Sequence, residues 1–321
     1  MPAALLAEET DAEDAVAQVR ALVSSPWFPA IIDPRFFDFI EAEGRVPRLG
    51  DPTDPADYRG HILFQVWLLS GSEGIHDRWL FYFQWLAGGC VPDRPIPPLT
   101  FTVPQQAKDG TLARLRKLVE KLGRDHGYGE RALLILIEWL AFGLGVCDTR
   151  PDLSAKTSKF LYENFDVSAV LTWPYDYLGH LLEEERGRSK RFQGFFLTHD
   201  RVCEFMTALA FDGLAGDTRL LRVHEPAAGS SRQLLHASNY ALNLTAADID
   251  PACAAVSLIN AALFAPWLAF PAPAPFVRTI EAPEQIERVE QPPASATAGR
   301  VVETSGGAQA LACKQSLLFD L

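Results

Sequence analysis

Apolar residues recur with helical spacing up to about residue 190, and the pattern then changes to short strands that alternate with helices. The segments "HILFQVWLLS", "RWLFYFQWLAGG", "TLARLRKLVEKLG" and "ERALLILIEWLAFGLG" each predict a helix. The last of these is apolar on nearly every face, which is typical of a helix at the centre of a bundle. Further along, "TRLLRVHE" and "ALNLTAADID" predict strands, and a helical segment follows each. This alternation predicts an α/β fold with a parallel sheet.

The same patterns divide the chain into regions. Residues 1–103 predict a mainly helical region that ends in the proline-rich "VPDRPIPPLTFTVP", and residues 104–190 predict a helical domain. Residues 191–290 contain the predicted strands. Residues 291–321 predict a flexible tail, because Pro, Ala, Gly and Ser dominate it until the apolar segment "KQSLLFDL".

Composition excludes some classes of protein. With 321 residues, of which 48% are hydrophobic, the chain is globular, and its net charge of −12 argues against coating of nucleic acid while leaving local binding open. Five scattered cysteines without a Cys-x-x-Cys pair favour a reducing cytoplasm over a disulfide framework or a zinc site. The acidic opening segment predicts no secretory signal. Glu138 interrupts the longest apolar run, which therefore predicts a buried helix and no membrane span.

The candidate chemistry begins at "RVHEPAAGSSRQLL", where a strand ends in Glu225 and small residues precede a helix. Small residues there let a ligand lie against bare backbone at a helix N-terminus. Asp248 ends the next strand, and ligands of open α/β sheets bind at such strand ends. The loop has Gly229 but no G-x-G-x-x-G, and Glu225 would repel a phosphate. These features favour S-adenosylmethionine, which carries cationic groups, over a dinucleotide.

Simpler explanations of these acids stay open at this stage. Glu225 is also suited to cap the helix that follows it. Asp248 and Asp250 are residue types that form turns before a proline such as Pro251. Thr198 is suited to cap its own following helix.

The order of the motifs adds a resemblance. "EPAAGSSRQLL…AADIDPACAAVSLINAALF" resembles the cofactor motifs of adenine-specific DNA amino-methyltransferases, D/E-P-A-C-G-x-G followed by D/E-I-D-P. "GFFLTHDRVCEFM" resembles the element that caps their cofactor site. "DYLGHLLEE" resembles the D-x-L-G-x-x-x-E helix of type I restriction-modification methylase subunits and their phage and plasmid relatives. The resemblance covers roughly residues 105–270. It implies a shortened, Rossmann-like S-adenosylmethionine-dependent methyltransferase domain behind a mainly helical domain, with DNA as substrate and a specificity or other partner subunit.

The resemblance also implies a cofactor site at the two strand tips and on the segment before the first strand: Thr198, Glu225, Ala227, Gly229, Ser231, Asp248 and Ile249. Glu225 would bind the methionine ammonium, and Asp248 the ribose hydroxyls. Ile249 would pack on the adenine, and Thr198 would contact the amino-acid end of the cofactor. The small residues of the loop would allow close approach of the backbone.

This chain departs from the family pattern at several positions. Ala228 stands where the family has cysteine, Ser231 where it has the second glycine, and His199 where it has proline.

The catalytic motif departs further. The family has Asn/Asp/Ser-Pro-Pro-Tyr/Phe, whose polar groups accept from the adenine amine while the aromatic ring stacks on the flipped base. The nearest match is Gln291, Pro292 and Pro293, followed by Ala294, which cannot stack. Three hypotheses stay open: methyl transfer to adenine in DNA, a degenerate protein that binds cofactor or DNA without turnover, and methyl transfer to RNA or protein. "QPPA" also fits a plain linker.

The tail carries a separate signal. "QSLLFDL" resembles the peptide with which bacterial proteins bind the sliding clamp. By that resemblance, Gln315 would bond at the rim of the clamp pocket, and Leu318 with Phe319 would fill it. The clamp is therefore a predicted partner alongside DNA, and no membrane is predicted as one.

Overall fold

The computed structural model describes residues 59–72, 77–88, 90–187 and 196–272. Helices and strands follow one another in this order: α1 His61–Ser72, α2 Arg78–Gly88, α3 Gln105–Asp125, α4 Ala132–Gly143, α5 Ala155–Asn164, α6 Val167–Thr172, α7 Tyr177–Gly187, α8 Asp200–Phe211, β1 Arg222–Glu225, α9 Arg232–Ala237, β2 Asn243–Ala246, α10 Pro251–Phe264 and α11 Pro266–Ala269. Short 3-10 turns lie at Gly129–Arg131 and Thr218–Leu220.

Some of the helices begin at a residue whose side chain caps them. The Ser154 hydroxyl accepts from the Thr157 amide at 3.1 Å and starts α5. Asp166 accepts from the Ala169 amide at 3.0 Å and starts α6. Helix α4 is buried on nearly every face, as its apolar sequence, interrupted only by Glu138, predicts.

The two predicted strands are present and pair in parallel, with Glu225 opposite Ala246. Helix α9 connects them, as a parallel pair requires. Strand β1 is shorter than "TRLLRVHE" suggests, because Thr218–Leu220 forms a 3-10 turn. Helix α10 begins at Pro251, a residue suited to the first helical position, and Asp250 accepts from the amides of its first turn.

One hydrophobic core contains residues from both sides of the predicted boundary near residue 190, from Ile62 in α1 to Leu268 in α11. Arg78, which has no exposed surface, ties the two parts together. Its guanidinium donates to the Ser238 carbonyl at 2.6 Å and to the Phe264 carbonyl at 3.0 Å, and it lies over the Trp267 ring. The ends of α9 and α10 are thereby fixed against α2.

Helix α8, which packs against α9, has an apolar exposed surface. Helix α8 exposes Val202, Phe205, Met206 and Leu209, which recur at helical spacing. Within the residues described, β1 pairs only with β2, so its other edge has no strand beside it. None of the helices in the described part of the chain is long and apolar enough to cross a membrane.

Candidate functional site

The candidate site is built on residues 226–231, here called the tip loop. Gly229 has φ 55° and Ser231 has φ 65°, both in the left-handed region that favours glycine. The Ala228 amide donates to the Ala247 carbonyl at 2.9 Å, and the Ala247 amide donates to the Glu225 carbonyl at 2.9 Å. The tip loop therefore folds back over the end of β2 before α9 begins.

The two carboxylates predicted at the strand tips meet at this loop. Asp248 accepts from the Gly229 amide at 2.7 Å with one oxygen and from the Asp250 amide at 2.8 Å with the other. Glu225 is close enough for the charge of Asp248 to act on it. The sequence prediction that Glu225 and Asp248 lie at neighbouring strand ends thus agrees with the pairing of β1 with β2.

Glu225 is electrostatically unsatisfied. Burial, together with the negative charge of Asp248, raises the pKa of Glu225 to about 7, even though a hydrogen bond from the Leu234 amide in the first turn of α9 offsets part of the rise. Within the described structure, its Oε2 atom is buried and has no hydrogen-bond partner. A buried carboxylate oxygen of this kind is suited to a cationic hydrogen-bond donor supplied by a ligand.

The segment before α8 lies against the tip loop, where the resemblance places the cap of the cofactor site. A side chain at Gly229 would bring its Cβ to 3.2 Å from the Leu197 side chain. The Thr198 carbonyl accepts from the Arg232 guanidinium at 3.2 Å. The hydroxyl-bearing residue Thr198 is itself exposed beside the loop.

Helix α8 is held to α9 by polar contacts. The His236 imidazole, which is buried, lies 3.0 Å from an Asp200 carboxylate oxygen. The Gln233 amide donates to the Thr207 hydroxyl at 2.9 Å. These contacts fix the cap segment relative to the helix that follows the tip loop.

The remaining predicted cofactor residues fall into two groups. Ala227 and Ile249 are exposed, and the side chain of Ile249 is fully open to solvent at the tip of β2. Ser231 is fully buried, and its hydroxyl bonds to the Ser257 hydroxyl of α10. Ser231 therefore presents no surface to a ligand, unlike the prediction that it contributes to the cofactor site.

Asp176 lies in the segment "DYLGHLLEE", and the sequence alone indicated no role for it in the site. In the structure its buried carboxylate accepts from Ser230 at 2.5 Å and from Arg232 at 2.7 Å, on either side of Ser231. The motif position was visible in the sequence. Its contact with the tip loop was not, because the two segments lie more than fifty residues apart.

Other predicted residues cannot be placed. Gln291, Pro292, Pro293, Gln315, Leu318 and Phe319 lie outside the described residues. Within the described part, no group of His, Cys, Asp and Glu side chains is arranged to hold a metal ion. Comparison with protein-family models, with curated proteins and with solved structures gave no match.

Proposed function

We propose that this chain binds S-adenosylmethionine at the tip loop and transfers its methyl group to the exocyclic amine of adenine in DNA. Glu225 binds the ammonium of the donor's amino-acid part. Asp248 faces its ribose hydroxyls while holding the Gly229 amide. Ile249, exposed beside them, covers the adenine ring. The donor itself supplies an electrophilic methyl group on its sulfonium.

The observation that carries the proposal is the buried, unpartnered Oε2 atom of Glu225 beside a loop of small residues. A phosphate ligand would add negative charge next to Glu225 and Asp248, and both carboxylates would repel it. An ammonium would supply the missing hydrogen bond and neutralise the buried charge. The two carboxylates, Glu225 and Asp248, therefore favour a ligand with a cationic amine.

The convergence of separate segments supports the same assignment. The segments "DYLGHLLEE", "FLTHD", "EPAAGSS" and "AADID" are widely spaced in the chain. Asp176 and Asp248 contact the tip loop, and Thr198 contacts Arg232 directly after it, so these segments lie together. The family resemblance implies that these segments form one cofactor site, and adenine in DNA as the acceptor comes from that resemblance.

Labelled methyl transfer tests the proposal. The purified chain is incubated with methyl-labelled S-adenosylmethionine and mixed-sequence duplex DNA, and label is measured in adenine after hydrolysis. The wild type and an exposed-surface control, Glu130→Gln, are expected to incorporate label, and Glu225→Gln is expected to lose it. Equal labelling by wild type and Glu225→Gln would refute the assigned site.

A second candidate function is binding of the donor or of DNA without turnover, as a clamp-tethered accessory protein. This candidate is favoured because Ala294 stands where the family motif has an aromatic residue, and alanine cannot stack on an extruded base. This candidate predicts donor binding by the wild type together with no label in any DNA. Turnover that Gln291→Ala abolishes would exclude it. Deletion of Gln315–Leu321 separately tests clamp binding, which is expected to disappear.

A further inference from the structure

We propose that Asp176 is the positioning residue of the tip loop: from outside the α/β unit, it holds the loop in the shape that binds the donor. This inference rests on the proposed function. Asp176 directly precedes α7, and the strand tips belong to β1 and β2. Its role is exerted through other residues, since its carboxylate is 2% exposed and a ligand at the loop surface cannot touch it.

Both oxygens of the Asp176 carboxylate accept hydrogen bonds from groups on separate elements. One oxygen accepts from the Gly179 amide at 2.9 Å and from the Asn260 amide group at 2.8 Å. The other accepts from the Ser230 hydroxyl at 2.5 Å and from the Arg232 guanidinium at 2.7 Å. The buried Asp176 carboxylate therefore connects four elements: α7, the tip loop, α9 and α10.

These bonds fix the inner side of the tip loop. Asn260 also donates to the Ser230 carbonyl at 3.0 Å, so both the side chain and the backbone of Ser230 are held. Ser230 lies between Gly229 and Ser231, the residues with positive φ. A left-handed backbone at a serine is strained, and such conformations persist only where surrounding contacts determine them. The network around Asp176 supplies those contacts.

The outer side of the loop then takes its shape from the inner side. The Gly229 amide donates to Asp248, and the residue after the loop, Arg232, donates to the Thr198 carbonyl. Through Ser230 and Arg232, Asp176 determines where Gly229 and Thr198 stand relative to Glu225. Loss of the anion is expected to misplace the loop and weaken donor binding while Glu225 itself remains.

The test uses Asp176→Asn with Asp166→Asn as its matched control. Both aspartates cap a helix by accepting an amide three residues ahead, at 2.9 and 3.0 Å, but only Asp176 contacts the tip loop. Calorimetric titration with S-adenosylhomocysteine, the demethylated donor, gives the affinity. Asp176→Asn is expected to weaken it at least tenfold, and Asp166→Asn to leave it within twofold of wild type. Wild-type affinity in Asp176→Asn would overturn the proposal.

A second variant covers the case in which Asp176→Asn does not fold. Ser230→Ala removes one bond to Asp176 and leaves the Gly179, Asn260 and Arg232 bonds in place. It is expected to weaken binding two- to fivefold and to shift the Asp250 amide resonance, because the Asp250 and Gly229 amides both donate to Asp248. Asp250 is far from residue 230 in the sequence, and general destabilisation would not move its resonance. Where both variants fold, their double mutant should bind no more weakly than Asp176→Asn alone, since the two changes break the same bond. Additive losses would overturn the proposal.

The outcomes separate this proposal from the proposed function. If the wild type binds no S-adenosylhomocysteine, the assigned donor is wrong, and the Asp250 amide resonance in Asp176→Asn or Ser230→Ala still reports whether Asp176 shapes the loop. An unmoved resonance would overturn positioning by Asp176. Wild-type binding with unchanged affinity in both variants would overturn it while the donor assignment stands.

Discussion

The negative charge of Glu225, which the proposed ion pair requires, lowers the stability of the ligand-free fold. Burial and the neighbouring Asp248 raise its pKa to about 7, so the folded chain holds this proton more tightly than an ordinary glutamate does. The stabilising effect of that proton is complete below the ordinary pKa of about 4.3. It is lost as the pH rises through about 7. A ligand ammonium would restore the balance at neutral and alkaline pH.

Removing the charge should therefore stabilise the ligand-free protein at alkaline pH. Glu225→Gln is expected to raise the free energy of unfolding at pH 8 by roughly 1–2 kcal/mol, a figure reduced for the carboxylate's partial contact with solvent. The gain should largely disappear near pH 4.5, where the wild-type carboxyl is protonated in the folded protein and about half protonated in the unfolded chain. Urea unfolding at both pH values checks this, with Glu130→Gln as the exposed control. A gain that is the same at both pH values would contradict the role of the Glu225 charge.

Donor binding should depend on pH in the opposite sense. Because a protonated Glu225 is a poor partner for an ammonium, the affinity for S-adenosylmethionine should fall about tenfold for each unit of pH below about 7. Above that value the affinity should be nearly constant until the ammonium itself titrates. Titrations between pH 5.5 and 8 check this slope. Glu225→Gln should bind weakly with a flat profile, and a steep profile in that variant would assign the slope to another group.

The sequence indicated the residues at the strand tips, but it did not indicate that Asp176 supports the tip loop. Glu225 and Asp248 each end an apolar segment followed by turn and helix signals, and parallel strands bring such ends together. Asp176 is different, because its partners Ser230, Arg232 and Asn260 are 54, 56 and 84 residues away. Neither local spacing nor composition reports a contact across that distance.

Among the elements, α7 shows how one glycine permits a polar contact. A Cβ on Gly179 would lie 2.1 Å from Asp176 Oδ2, which no side chain can occupy without displacement. The D-x-x-G spacing thus lets the aspartate cap its helix and still bond to the tip loop. The resemblance of "DYLGHLLEE" implies a helix here, but it does not reveal why glycine stands in its first turn.

This geometry predicts the effect of alanine at the two glycines of α7. Gly179→Ala is expected to lose about 1–3 kcal/mol of stability through overpacking, and to weaken donor binding with it. Gly187→Ala, at the other end of the same helix, has no neighbour within 4 Å of its Cβ and should leave both unchanged. Thermal unfolding and donor titration of the two variants check this. Equal behaviour of the pair would contradict the contact between Gly179 and Asp176.

The strands show the limit of pattern reading for short elements. The segment "TRLLRVHE" carries enough apolar residues for one long strand, but Asp217 caps a 3-10 turn by accepting from the Arg219 amide at 3.1 Å. The Arg219 guanidinium also donates to the Pro92 and Arg94 carbonyls, both at 2.9 Å. These contacts with a distant proline-rich segment fix the start of the segment as a turn, and the strand begins only at Arg222.

For the whole molecule, the junction between the helical elements and the α/β unit depends on Arg78. Its guanidinium is completely buried and bonds to the ends of α9 and α10. Burial lowers the pKa of Arg78 to about 9, so the group remains a cation at neutral pH. The site is carried by the α/β unit, while Asp176 and the core beneath it come from the helical elements, so the junction supports both.

Removal of Arg78 should therefore destabilise the whole chain. Arg78→Ala is expected to lower the free energy of unfolding by about 3–5 kcal/mol, because it leaves carbonyls unpaired and opens a cavity. Arg131→Ala, at an exposed arginine, should change it by less than about 0.5 kcal/mol. Denaturant unfolding followed by tryptophan fluorescence checks this. Equal midpoints for the two variants would show that the junction does not depend on Arg78.

The central claim is that the tip loop binds S-adenosylmethionine through an ion pair with Glu225. Calorimetric titration of the wild type and Glu225→Gln with S-adenosylmethionine at pH 8 tests it most directly. The wild type is expected to have one binding site, and Glu225→Gln, which unfolds no more easily than the wild type, is expected to bind at least tenfold more weakly. No binding by the folded wild type, or equal affinities for the two proteins, would contradict it.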